Sequence, residues 1–99
     1  MLELFREGIL DLMGASSSQQ YSILLALKQK GELSAVELVN EVEIVSKGTQ
    51  KIMLERLYLF MHLLEKKGLV TLRSRGRAYY QLTQEGHKFV EMYARMNPN

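Results

Sequence analysis

Apolar side chains recur at helical spacing in five stretches of this chain and alternate in two short ones. Residues 2–13 place Leu2, Phe5, Ile9, Leu12 and Met13 on one stripe, with Glu3, Arg6, Glu7 and Asp11 elsewhere around the helix. Gly14 is a fitting stop, and the serines at 16–18 are short polar residues, one of which can cap the next helix. That second helix runs to about Lys30, with Ile23, Leu24, Leu25 and Leu27 apolar and Gly31 at its end. Ser34 three residues before Glu37 is a capping-box pattern, and it opens a third helix carrying Val36, Leu38, Val39 and Val42.

A fourth helix, the longest, is predicted from about Thr49 to Lys67, ended by Gly68. Met53, Leu57, Phe60 and Leu64 follow 4-3-4 spacing and should face the core, with Met61 beside them. The period then changes. Leu69–Leu72 and Ala78–Leu82 are rich in β-branched and aromatic residues and flank a glycine-containing turn, which reads as a hairpin. Thr83 can cap a last helix that runs to about Arg95. The expected fold is mainly α with a small β-hairpin (α+β): a single domain over 1–99. Within it, residues 18–82 form a winged helix-turn-helix, flanked by an N-terminal helix (1–14) and a C-terminal helix (83–96).

Composition narrows the class. With no cysteine there is no disulfide framework and no thiolate metal site. No apolar run reaches the ~18–20 residues that a membrane span needs. The first residues carry acids where a signal peptide would be basic. A soluble cytoplasmic protein with no membrane partner is expected.

Net charge of +2 says little, but its distribution does. Residues 1–46 sum to −4. Residues 47–80 sum to +6, from Lys47, Lys51, Arg56, Lys66, Lys67, Arg73, Arg75 and Arg77 against Glu55 and Glu65. Residues 81–99 sum to zero. Positive charge is thus concentrated on one helix and the hairpin after it, the footprint of a phosphate-binding face. A helix that enters the major groove, followed by a basic wing along the phosphates, is how a winged helix grips double-stranded DNA.

The candidate DNA-binding residues are Lys47, Lys51, Glu55, Arg56, Tyr58, His62, Arg73, Arg75, Arg77 and Tyr79. On the long helix, Lys51, Glu55, Arg56, Tyr58, Leu59 and His62 lie opposite the apolar stripe. Arg56 suits a bidentate contact to guanine, and Tyr58 a phosphate oxygen or a thymine methyl. Leu59 and Leu63 are unexpectedly apolar there and suit packing on the wing or on a partner protein. Arg73, Arg75 and Arg77 alternate through the turn, a spacing that repels unless an anion lies alongside. Of the tyrosine pair, Tyr80 should point inward with Leu82, leaving Tyr79 to brace the wing or touch the DNA backbone.

Nothing supports an enzyme, a cofactor or a bound metal. His62 and His87 have no acid or cysteine at ligand spacing, and no glycine-rich phosphate loop is present. The outer helices are expected to pair two copies. Leu2, Phe5, Ile9, Leu12 and Met13 on the first, and Phe89, Val90, Tyr93 and Met96 on the last, are more than a three-helix core can cover. A homodimer would set two recognition helices ~34–36 Å apart on DNA half-sites.

Two stretches carry a family resemblance. Residues 55–70, with Leu57-Tyr58 followed by Leu64-Glu65-Lys66-Lys67-Gly68-Leu69-Val70, resemble the recognition-helix stretch of the PadR family. Residues 76–86, with Gly76-Arg77, Tyr79-Tyr80, Leu82-Thr83 and Gly86, resemble its wing signature. The resemblance spans about residues 20–90. It implies a homodimeric transcriptional regulator, usually a repressor on a palindromic operator, with a C-terminal dimerisation helix. It also implies that Tyr58 contacts DNA and that Arg77 is a wing residue. Leu59 departs from the family, which often has proline or a small polar residue there. The chain also stops soon after one C-terminal helix, which implies a minimal form. Two other readings stay open: a winged-helix protein-interaction module, and a regulator responsive to a small-molecule effector, with a pocket lined by Phe5, Met13, Tyr93 and Met96.

Overall fold

The computed structural model describes residues 17–96. The elements run α1 (Ser17–Lys30), β1 (Glu32–Leu33), α2 (Ala35–Val45), α3 (Leu54–Lys66), β2 (Val70–Ser74), β3 (Ala78–Leu82) and α4 (Gln84–Met96). The helix expected over residues 2–13 lies outside the described residues, as do Leu2, Phe5, Ile9, Leu12 and Met13. The architecture is α+β: four helices around a three-stranded antiparallel sheet of order β1-β3-β2.

The core is built on α1. Ser22, Ile23, Leu24, Ala26 and Leu27 are all buried, so this helix is covered on most sides, by α2, by α4 and by the sheet. Leu38 and Val42 of α2 and Leu57, Phe60, Met61 and Leu64 of α3 complete the centre. The sheet closes one side. Its register pairs Leu33 and Leu72 with Tyr80, and Val70 with Leu82, on one face. Glu32 and Thr71 pair with Gln81, and Arg73 with Tyr79, on the other. Tyr80 and Leu82 are buried as their alternation requires, and Tyr79 is half-buried on the outer face.

The capping box at the start of α2 is present in full. The Glu37 N–H donates to Ser34 Oγ at 3.3 Å, and the Ser34 N–H donates to Glu37 Oε1 at 2.8 Å. These hydrogen bonds, first of all the one from the Ser34 backbone, hold the Glu37 carboxyl below the usual carboxylate range. A depressed folded-state value means stability that is present above the ordinary carboxylate pKa and lost as the pH falls through the folded one. Ser34→Ala removes one partner and is expected to lower the melting temperature by roughly 4–8 °C near neutral pH. The gap from the parent should narrow in acid; an unchanged melting temperature would show that α2 is held by packing alone.

Three expectations are corrected. The helix after α2 begins at Leu54, not near Thr49, and α1 is longer. Ser46 explains the shift: its hydroxyl accepts from the Gln50 N–H at 3.0 Å, and its carbonyl accepts from Thr49 Oγ1 at 2.6 Å. These bonds give the backbone an alternative to a helical turn. Gln50 in turn accepts from the buried Ser22 hydroxyl at 2.6 Å, which ties the turn to α1. Because residues 50–53 are not helical, Met53 drops off the apolar stripe, while Leu57, Phe60, Met61 and Leu64 are buried as expected. Ile52 is buried, and Met53, extended at φ −78 and ψ 149, is 72% exposed. Lastly, β1 is a two-residue strand that no periodicity announced.

Candidate nucleic-acid interface

Two elements present the basic residues. α3 buries Leu57, Phe60, Met61 and Leu64, so helical geometry turns Glu55, Leu59, His62 and Lys66 outward, and all four are exposed. Tyr58 and Arg56 flank that stripe on opposite sides, and both are exposed. Arg56 leans back along its own helix, its guanidinium carbon 5.7 Å from the centre of the Phe60 ring. Lys51, expected on this helix, instead joins Lys47 in the segment that leads into it. Lys47 lies in the turn after α2 with φ 56, and Lys51 lies in the non-helical run before Leu54. Both are exposed.

β2 and β3 form the wing. Arg75, Gly76 and Arg77 connect the strands, closed by the Arg75 N–H donating to the Arg77 carbonyl at 3.0 Å. Gly76 takes φ +82, the left-handed conformation that such a three-residue connection requires and glycine adopts without strain. Only Arg73 is therefore on a strand, paired with Tyr79. Arg75 and Arg77 belong to the tip, and the expected alternation along one strand does not extend to them.

Arg77 is the most constrained of the three. Its Nε donates to the Tyr79 hydroxyl at 2.7 Å, and its guanidinium carbon lies 5.0 Å from the centre of the Tyr79 ring. The hydrogen bond to Tyr79, together with the nearby Glu37 carboxylate, favours the cation further. Tyr79 braces the wing, and the phenol of the neighbouring Tyr80 is pushed up by burial.

The base of the wing is fixed by Thr83, the expected cap of the last helix, and by Gly86, which the sequence showed only as part of a signature. The Thr83 N–H donates to the Leu69 carbonyl at 3.0 Å, and its hydroxyl donates to the Gly68 carbonyl at 2.5 Å while accepting from the Gly86 N–H at 3.0 Å. One threonine therefore joins the end of α3, the start of β2 and the first turn of α4. Gly86 is buried against the Leu69 carbonyl, so close that there is no room for a Cβ.

The expected pairing residues on α4 divide. Val90 is 3% exposed within the chain itself, so it belongs to the core and not to a surface that could meet another copy. Phe89 packs on that core and Tyr93 stacks on Tyr21 at 4.4 Å between ring centres, both half-buried. Met96 is 72% exposed, and Met92, also exposed, lies four residues before it. Among the described residues no group of histidines and acids could hold a metal ion, and no helix is long and apolar enough to cross a membrane.

The profile of the transcriptional regulator PadR-like family matches residues 23–92 of this geometry. The chain belongs to that family. No protein of curated function matches it in sequence. Among solved structures, a transcriptional regulator from Clostridium thermocellum is 25% identical, with a TM-score of 0.65, over 78% of this chain and 78% of its own. Bacillus subtilis PadR, solved in complex with operator DNA, is 24% identical with a TM-score of 0.64, over 75% of this chain and 45% of its own. Bordetella bronchiseptica BpsR, whose DNA binding is regulated by 6-hydroxynicotinic acid, is 21% identical with a TM-score of 0.68, over 81% of this chain and 53% of its own. The last two share the fold with this PadR-like regulator, which spans about half the length of each. The matched region takes in α2, α3 and the wing whole.

Proposed function

We propose that this PadR-like regulator binds double-stranded DNA sequence-specifically, as a homodimer on a palindromic operator, and represses transcription there. The observation that carries the reading is the joint exposure of basic side chains on α3, on the segment before it and on the wing after it. α3 would lie in the major groove with Arg56, Tyr58, Glu55 and His62 at or beside the base edges, and Lys47 and Lys51 toward the backbone. Arg73, Arg75 and Arg77 would hold phosphates or enter a narrow minor groove, with Tyr79 behind them. The exposed Met92 and Met96, beside Phe89 and Tyr93, would form the α4 part of the pairing surface. B. subtilis PadR, crystallised on operator DNA, supports the same use of the shared fold.

Fluorescence anisotropy tests this directly. The protein should bind duplex DNA from the region upstream of its own coding sequence more tightly than a scrambled duplex, with affinity falling steeply as salt rises. Weak binding without preference would reduce the basic face to a non-specific grip. Absence of binding at low salt would favour the second reading, a protein-interaction module, which the exposed Leu59 supports. The effector pocket imagined between the outer helices depends on Phe5 and Met13, outside the described residues.

A further inference from the structure

We infer that the outward face of α3 selects its DNA by thymine methyl groups, with Leu59 as the reading side chain and Tyr58 beside it. The inference rests on the DNA-binding reading above and adds what that site reads. Leu59 lies in the middle of the outward stripe, four residues after Glu55 and three before His62. It is 55% exposed, with Tyr58 at 51% next to it. The fold makes little use of either side chain, since α3 packs through Leu57, Phe60, Met61 and Leu64 on the other side. An exposed leucine gains only by finding an apolar surface.

The surroundings say which surface that is. The apolar centre is small, and the exposed charges around it are mainly cationic: Lys66 on the stripe, Arg56 at its flank and Lys51 in the segment before the helix, against Glu55 on the stripe and Glu65 at the other flank. A rim of this sign suits a polyanion that carries isolated apolar spots. The major groove of DNA is such a surface, and its one apolar base-edge feature is the C5-methyl of thymine. The strongest guanine-reading side chain available, Arg56, is drawn off the central line toward Phe60, which leaves Leu59 at the centre of the stripe, between Glu55 and His62. Leu59 also falls in the first half of α3, the part of a recognition helix that reaches base edges.

Exchange of thymine for uracil removes the methyl and leaves every hydrogen-bonding group in place. The tightest duplexes selected by the full chain from a randomised pool would be remade with deoxyuridine for thymidine and compared by anisotropy. Binding should weaken about fourfold for each contacted methyl lost. Leu59→Ala, at an exposed position that leaves the core intact, should bind both duplexes with nearly equal affinity, and circular dichroism would show that it is folded. Equal affinity of the parent chain for thymine and uracil duplexes, with sequence preference retained, would overturn the inference and leave DNA reading standing. A thymine preference that survives in Leu59→Ala would overturn the assignment to Leu59. A pool that yields no preferred duplex would overturn the DNA-reading function and this inference with it.

Discussion

Gly86→Ala is expected to lower the stability of the fold by about 3 kcal/mol, near the upper end for overpacking by a single methyl. The added carbon would fall deep inside contact distance of the Leu69 carbonyl oxygen and 3.1 Å from Leu82 Cδ2. The leucine side chain can yield, but the carbonyl cannot move freely, because it accepts the Thr83 N–H. Making room therefore strains the backbone or breaks that bond, worth about 1 kcal/mol. Alanine's better helix propensity offsets about the same amount. The melting temperature should fall by roughly 12–24 °C, monitored by circular dichroism. A fall of less than about 3 °C would mean that α4 can lift off the wing at little cost, contrary to the close packing at Gly86.

The second large effect is on binding. Replacing Arg73, Arg75 and Arg77 together with alanine is expected to weaken binding to every duplex on the order of a hundredfold, taking ~1 kcal/mol for each exposed, solvent-screened ion pair with phosphate. The slope of log affinity against log salt should fall by about 2.7, roughly 0.9 per phosphate released. Preference for one sequence over another should change little, because phosphate contacts position the protein and base contacts specify. All three side chains are exposed, so the variant should stay folded, its melting temperature lowered by no more than about 4–8 °C through loss of the Arg77–Tyr79 contact. A full loss of affinity with an unchanged salt slope would take the wing off the phosphates. A lost preference at constant slope would place it in the minor groove reading shape.

Much of the fold was legible in the residues because the signals were local. Ser34 and Glu37 announced their reciprocal hydrogen bonds, and the tyrosine pair assigned itself to two sheet faces by alternation. Gly68, at φ +76, marked the end of α3. What escaped depended on partners far along the chain. Met53 fits the apolar period as well as Leu57 does, but the non-helical turn before it is tied to α1 by the Ser22–Gln50 hydrogen bond, across 28 positions of the chain. Strand β1 has two residues, too few for any alternation to register, and exists because β3 offers an open edge. Val90 looked available for pairing because a helical stripe does not say which of its members the chain's own core will take.

The candidate interface divides in the same way. Charge clustering over residues 47–80 located it, since charge needs no knowledge of the fold. The lean of Arg56 toward Phe60 and the hold of Tyr79 on Arg77 could not be read from spacing. Each depends on a rotamer chosen by packing. The signature Leu-Thr-x-x-Gly acquires its reason only in three dimensions, where Thr83 bonds both sides of the wing and Gly86 leaves space for Leu69.

The hairpin is anchored like a cantilever. Leu69, Val70 and Leu82 bind its root to the core, while every residue from Leu72 to Ala78 stands clear of it. Of its three cations, Arg77 is already oriented by Tyr79, whereas Arg75 at the free end would have to surrender its rotamers if it met a phosphate. Stiffening the tip would then raise affinity without a single new contact, because less freedom is left to lose.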